Sequence, residues 1–152
     1  QNYRRIGFAM DRTFPYQHHN RWLAAYLMEK QLGTIEPMEV WVDQEPSYEG
    51  FLKWFMKTEP EVVICLNAPQ VIEWLSRMDY NVPDDVGVVT VNTAEAGGEI
   101  SGIVENNSTS AKVAVEMLID RIHNGQFGSY ESPEHIVIQG EWNPGRSLKV
   151  VS

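Results

Sequence analysis

Polar amide side chains follow two short apolar runs that are typical of buried strands. Residues 86–91 form a run rich in β-branched side chains that stops at Asn92, and residues 62–66 form a second run that stops at Asn67. In open α/β sheets, ligands bind outside the carboxyl ends of the strands, so Asn92 stands where a ligand-binding residue is expected. Asparagine also favours turns at strand ends, and spacing alone leaves that alternative open.

The other residues that could support catalysis or metal binding lack partners at a suitable spacing. His18 and His19 are adjacent, so they would point in different directions on a helix, and no acidic residue or cysteine has the spacing of a further ligand. The single cysteine, Cys65, lies inside an apolar run, which predicts a buried, unreactive thiol. The sequence contains no GxGxxG motif, phosphate-binding loop or nucleophile elbow. We therefore predict a protein that is not an enzyme and has no metal or cofactor.

Composition limits the partners that this chain can bind. The 152 residues suit one domain, and 43% of them are hydrophobic while 22% are charged. The formal net charge of -9 argues against contact with a phosphate backbone, because nucleic-acid binding depends on clustered lysine and arginine. No apolar run reaches the roughly 18 residues of a membrane-spanning helix. We expect a globular domain that itself binds neither duplex DNA nor a membrane.

The elements that position the asparagines alternate between strands and helices. Apolar runs predict strands at residues 6–10, 38–42, 62–66 and 86–92, and helical spacing predicts helices at 16–32, 47–57 and 71–75. The short connections between them indicate right-handed β-α-β crossovers. The prediction is an α/β fold with a doubly wound parallel sheet and helices on both faces. Three tryptophans fall within the apolar periods and are predicted to fill the core or a subunit interface: Trp41, Trp54 and Trp74.

After Asn92 the pattern changes, and we expect the chain to leave the sheet. Small residues at 93–99 predict a flexible stretch, followed by a brief extended piece at 100–104. Ser108 is the expected N-cap of a helix over residues 109–123. The apolar residues of this helix span about two thirds of its circumference, so it needs cover on two sides. A last strand is predicted at residues 135–138.

The central segment carries a pattern found in one family of bacterial proteins. It runs Val82-Pro83-Asp84-Asp85-Val86-Gly87-Val88-Val89-Thr90-Val91-Asn92-Thr93, and it resembles the VPxDVxVVGFDD segment of LacI/GalR-type transcription regulators. Further matches keep the family order, and these are Arg21, residues 60–63, Asn67 and an AxxLLxxI-like helix at residues 111–122. The whole chain resembles the C-terminal part of the effector-binding domain of these regulators, which shares its architecture with periplasmic sugar-binding proteins.

The resemblance implies a larger protein with several parts. An N-terminal helix-turn-helix domain would bind operator DNA, and a two-lobed sensor would follow it. In this interpretation, residues 1–99 and 130–152 belong to the second lobe, whereas residues 100–129 form a crossover segment and a helix of the first lobe. The resemblance also implies a cytoplasmic homodimer, with a small-molecule effector as its other partner.

The resemblance implies a ligand site between the two lobes. Arg21 would donate hydrogen bonds to ligand hydroxyls from the first helix, and Asn67 and Asn92 would bind the ligand at neighbouring strand ends. Further candidates lie in the preceding loop, and these are Gln17, a contact position in the family, and the aromatic residues Phe14 and Tyr16, on which a sugar could stack. The family has an aspartate where this chain has Asn92, which favours a neutral, sugar-like effector over a cationic one.

Two other functions are consistent with the same fold. A periplasmic sugar-binding component of a transporter shares the architecture and the cleft, and an upstream signal peptide in place of a helix-turn-helix would distinguish it. An enzyme of flavodoxin-like build is disfavoured because the catalytic motifs are absent. A phosphate-accepting response regulator would need an aspartate where Asn67 stands.

Overall fold

A computed structural model describes residues 3–11, 19–36, 38–93, 97–128 and 135–149 of the chain. Strands and helices alternate as far as the fourth strand, as the sequence predicts. The strands are β1 (Ile6–Asp11), β2 (Trp41–Asp43), β3 (Val62–Cys65), β4 (Gly87–Thr93), β5 (Ser101–Val104) and β6 (Glu141–Asn143). The helices are α1 (His19–Leu32), α2 (Tyr48–Thr58), α3 (Ala68–Ser76) and α4 (Asn107–His123).

The six strands form one sheet in the order β2-β1-β3-β4-β5-β6. β1 to β5 pair in parallel, and β6 pairs antiparallel with β5. The chain passes from β1 to β2 on one side and then returns to place β3 and β4 on the other side. The sheet therefore has a topological switch point between β1 and β3, and such a point is where open α/β sheets bind their ligands.

One face of the sheet is covered by α2 and α3 through an aromatic core. Phe51 is fully buried at its centre. Four neighbouring rings surround it with centroid distances of 5.3 to 5.8 Å, those of Trp41, Trp54, Phe55 and Trp74. Helix α2 begins here because the Ser47 hydroxyl accepts a hydrogen bond from the Gly50 backbone N–H. Of the two places predicted for the three tryptophans, the core and a subunit interface, the structure shows the core, with Trp54 and Trp74 buried and the partly buried Trp41 packed against them.

The opposite face is covered by α1. The Tyr26 ring stacks on Phe8 of β1 at 5.0 Å, and its hydroxyl donates to the Ile6 carbonyl at 2.6 Å. Burial raises the pKa of Tyr26, so the phenol stays protonated and keeps donating. Helices lie on both faces of a mostly parallel sheet, which confirms the predicted fold class.

Two predictions for the chain after Asn92 are wrong, although the extended piece expected at residues 100–104 is present as β5. Residues 101–104 do not leave the sheet, because they form β5 and pair in parallel with β4. The final strand lies at Glu141–Asn143 instead of at residues 135–138, and within the described residues the segment 135–140 has no strand pairing. Residues 135–138 have the composition of a strand, but a strand also needs a neighbouring strand with which it can pair. In the structure this segment has no such neighbour, and Val137 is 87% exposed.

The predicted start of α4 is also wrong. Asn106 occupies the N-cap position and Ser108 lies inside the first turn. The Asn106 side chain does not cap the helix but donates to the Gln139 carbonyl at 2.9 Å. Three capping-type residues, Asn106, Asn107 and Ser108, follow one another, so local preference cannot choose among them.

Helix α4 has no buried residue. Its large apolar side chains are about half exposed, at 55% for Val115, 58% for Leu118, 45% for Ile119 and 53% for Ile122. A helix that is apolar around most of its circumference needs cover on more than one side. Within the part of the chain that the structure describes, nothing provides that cover.

We expect the Cys65 thiol to be unreactive in the folded chain. It is 2% exposed, and burial raises its pKa to about 12, so almost no thiolate forms at neutral pH. A chromogenic disulfide reagent should label it at least ~100-fold more slowly in buffer than in denaturant. Rapid stoichiometric labelling without denaturant would contradict this packing of β3.

Candidate functional site

The switch point between β1 and β3 is bordered by the starts of two helices. β1 and β3 are each followed by a helix on the connection to the next parallel strand, so α1 and α3 both begin at the carboxyl edge of the sheet. The Glu36 backbone N–H donates to the Arg4 carbonyl at 2.9 Å, so the segment after α1 lies beside the beginning of β1 and the helix runs from the carboxyl edge towards the amino edge. The first turns of α1 and α3 therefore lie on either side of the crevice.

Arg21 lies in the first turn of α1 and its side chain is exposed. Arg21 therefore lies at the carboxyl edge of the sheet, on the α1 side of the switch point. A guanidinium presents a planar set of donors that suits hydroxyl or carboxylate oxygens.

Asn67 connects β3 to α3 and is the N-cap of that helix. Its side-chain oxygen accepts a hydrogen bond from the Gln70 backbone N–H at 3.3 Å, and Pro69 follows within the first turn. The capping bond uses one of the two lone pairs of the amide oxygen, and the structure shows no partner for the side-chain N–H groups among the described residues. Asn67 thus has the structural role at a strand end that the sequence left as an alternative. The same capping bond holds its amide at the crevice.

Asn92 is exposed near the carboxyl end of β4, on the strand next to β3. The register between β4 and β5 shifts at this point, since Thr90 pairs with Gly102 whereas Thr93 pairs with Val104. β4 advances by three residues where β5 advances by two, which is a β-bulge. Bulges change the direction of a side chain, so the orientation of Asn92 depends on this irregularity.

Sequence analysis missed Thr90, which links the two strand ends that carry the asparagines. Thr90 is 4% exposed. Its hydroxyl oxygen lies 2.8 Å from the Asn92 carbonyl, 3.2 Å from the Leu66 carbonyl and 3.4 Å from the Asn92 backbone nitrogen. In the sequence, a threonine within a β-branched strand gives no sign of such contacts. Only a polar residue in a run expected to be buried hints at them.

The three remaining predicted site residues, Phe14, Tyr16 and Gln17, lie outside the described residues. They belong to the segment between β1 and α1 in the chain order. Across the described ranges, no group of three or more histidine, cysteine, aspartate or glutamate residues could hold a metal ion. No helix in those ranges has the length and apolar character that crossing a bilayer requires.

A second concave surface lies at the opposite, amino edge of the sheet. It is lined by Arg5, Glu36, Met38, Glu39, Lys57 and Thr58. Lys57 forms an ion pair with Glu39, and the hydrogen bond from Lys57 is the main reason that the pKa of Glu39 is lowered. The charged groups here neutralise one another on an exposed surface, so we do not assign a ligand to it.

Comparison with known proteins relates this geometry to one family. A family model described as a periplasmic binding protein-like domain matches residues 1–148. No curated protein matches the sequence at a significant level.

Several solved structures share the fold. A PurR family transcriptional regulator from Vibrio parahaemolyticus has a TM-score of 0.75 at 15% sequence identity, with 98% of this chain and 57% of that one covered. The transcription regulator CcpA of Lactococcus lactis has a TM-score of 0.67 at 14% identity, with coverage of 97% and 56%. A LacI family transcriptional regulator from Enterococcus faecium with bound ribose has a TM-score of 0.63 at 14% identity, with coverage of 97% and 58%. The chain thus spans a little over half the length of each structure.

Proposed function

Because the chain belongs to the periplasmic binding protein-like domain family, we propose that it is the ligand-sensing part of a LacI-type transcription regulator. A small, sugar-like effector binds at the carboxyl edge of the sheet and is enclosed between this lobe and a second lobe. The observation that carries the proposal is the placement of Arg21 and Asn67 on either side of the switch point, with Asn92 on the next strand. The proposal contains no catalytic step.

The chemistry of these side chains favours a neutral polyol. Two adjacent hydroxyls need both donors and acceptors within a short span, and an amide supplies both. Asn67 offers its two N–H donors and the lone pair that the helix cap leaves free, and the Asn92 amide likewise offers both donors and acceptors. Arg21 adds a planar group of donors, and neither asparagine carries a negative charge that would select a cation. The ribose bound to the Enterococcus faecium regulator is a ligand of this class.

We propose that α4 belongs to the other lobe and that the strands of this chain form the second lobe. The support is that α4 buries no residue against the described part of the chain, although its surface is largely apolar. The sequence predicts that the second lobe ends at residue 99. We place this lobe boundary at the end of β5 instead, because residues 101–104 pair within the sheet of this lobe. Residues 105–140 would then cross to the other lobe and return at β6.

In the proposed regulator, effector binding changes the angle between the lobes and so alters operator binding by a separate helix-turn-helix domain. A ligand shifts such an equilibrium only by its difference in affinity for the two states. The net charge of -9 on this chain agrees with a DNA-binding surface located elsewhere. A homodimer in the cytoplasm is part of this proposal. An upstream secretion signal would favour the transporter component instead.

We expect Arg21→Ala to weaken effector binding by about 1 to 3 kcal/mol, which is roughly 5- to 150-fold in Kd. The reason is that the ligand hydroxyls lose charged donors inside a closed cleft. Calorimetric titration of the complete protein with D-ribose, or with the sugar that most raises its Tm, measures this loss.

Arg77→Ala is the matched control for Arg21→Ala. Arg77 is also an exposed arginine, but it lies at the other end of α3, over the Tyr48 ring at 3.8 Å. Its removal should leave sugar affinity unchanged. Equal affinity of the Arg21→Ala variant and the parent protein would remove Arg21 from the site.

A further inference from the structure

We infer that Thr90 is a positioning residue that sets the direction of Asn92 and holds it beside the strand end that carries Asn67. The inference deepens the proposed function, since it concerns the same site, but its geometry is independent of which ligand binds. Thr90 itself does not contact the ligand in this account, because its hydroxyl is occupied by backbone groups.

The hydroxyl of Thr90 lies between the ends of β3 and β4. It has one proton, so it donates chiefly to the nearer Asn92 carbonyl at 2.8 Å and shares that proton with the Leu66 carbonyl at 3.2 Å. Its oxygen also lies 3.4 Å from the Asn92 backbone nitrogen and accepts a weak bond from it. Leu66 immediately precedes Asn67. A single hydroxyl therefore links the backbone next to one candidate ligand residue with the backbone of the other.

This link acts at the bulge. Thr90 is buried and Asn92 is exposed, and the register of β4 against β5 shifts between Thr90 and Thr93. The extra residue of β4 interrupts the regular alternation of side chains there, so the direction of Asn92 depends on the bulge. Both backbone groups of Asn92 are bound by the Thr90 hydroxyl, so the bulge is held in one arrangement.

Gly102 on β5 provides the space that Thr90 needs. A Cβ atom at position 102 would lie 2.4 Å from the Thr90 carbonyl oxygen and 2.6 Å from its Cγ2 methyl. Neither distance is possible for real atoms, so a side chain at position 102 would displace Thr90. The pair of a threonine in β4 and a glycine opposite it in β5 is thus one structural unit, and the threonine supplies the hydroxyl at the bulge.

The test compares Thr90→Val with Thr90→Ser in the complete protein by NMR, without any ligand. Thr90→Val keeps the shape and removes the hydroxyl, whereas Thr90→Ser keeps the hydroxyl and removes the methyl that faces Gly102. We expect Thr90→Val to speed hydrogen exchange of the Asn92 backbone amide by about tenfold, and to shift the side-chain amide signals of Asn92 and Asn67. Thr90→Ser should retain the parent exchange rate and signals, even though it lowers Tm.

The two variants separate a positioning role from a purely structural one. If Thr90 has only a structural role, the changes in the exchange rate and signals of Asn92 should be proportional to the loss of Tm. Thr90→Ser, which also lowers Tm, would then show these changes. That result, or parent-like Asn92 signals in Thr90→Val, overturns the inference. If Thr90→Val does not fold, Thr90→Ala compared with Thr90→Ser gives the same contrast. Because no ligand is used, a failure of sugar sensing in other experiments leaves this result unaffected.

Discussion

Phe51→Ala should destabilise the chain by about 3 to 5 kcal/mol, the range for removing a large buried aromatic side chain. Phe51 is 0% exposed and touches four other aromatic rings, at centroid distances of 5.3 Å to Trp74 and 5.6 Å to Trp54 among others. The cavity would be surrounded by rigid rings that cannot close around it, so relaxation should recover little of the loss. Urea unfolding followed by tryptophan fluorescence measures the change.

Met56→Ala provides the control for Phe51→Ala on the same helix. Met56 is 55% exposed, so its truncation should change the free energy of unfolding by less than about 0.5 kcal/mol. A cost below about 1 kcal/mol for Phe51→Ala would mean that the aromatic cluster is loosely packed. The helices that position Asn67 would then lack the rigid support described above.

Leu118→Glu should destabilise the complete protein far more than it destabilises this chain. Leu118 is 58% exposed on α4, so an added carboxylate meets water in the 152-residue chain and should cost less than about 0.5 kcal/mol. In the complete protein, where we propose that another lobe covers α4, the same carboxylate would be buried without a partner. The expected cost there is about 3 kcal/mol or more. Denaturant unfolding of both proteins measures the two values.

Thr109→Glu is the matched control for Leu118→Glu. Thr109 precedes Leu118 by nine residues, which places it about 180° away around the helix, and it is exposed. The same carboxylate at this position should be tolerated in both proteins. If Leu118→Glu costs equally little in the complete protein, α4 is not covered there, and its assignment to the other lobe is wrong.

The central sheet can be predicted from the sequence because each of its strands is recognisable from the strand's own residues. Buried parallel strands require β-branched runs, and residues 62–65 and 88–91 provide them between clear helix boundaries. The strand ends could be located for the same reason, so Asn67 and Asn92 were placed at the correct edge. Their role in ligand binding remains a prediction.

The remaining features depend on residues far apart in the sequence. β6 is the short segment Glu141–Asn143, and it is a strand because β5 has a free edge, not because its residues favour extended backbone. The bulge at Asn92 requires Thr90 to face both Gly102 and the carbonyl of Leu66, which lies 24 residues earlier. A pattern within one strand contains no information about such neighbours.

The proposal that this chain senses a sugar is tested most directly by a thermal-shift screen of mono- and disaccharides on the complete protein. A ligand at 100 times its Kd adds about 2.7 kcal/mol to the free energy of unfolding, which raises Tm by several degrees. We predict that at least one neutral sugar gives a saturable rise, and that a protein carrying both Asn67→Ala and Asn92→Ala loses it. If no sugar raises Tm, or if the double variant responds like the parent protein, the proposed function is contradicted.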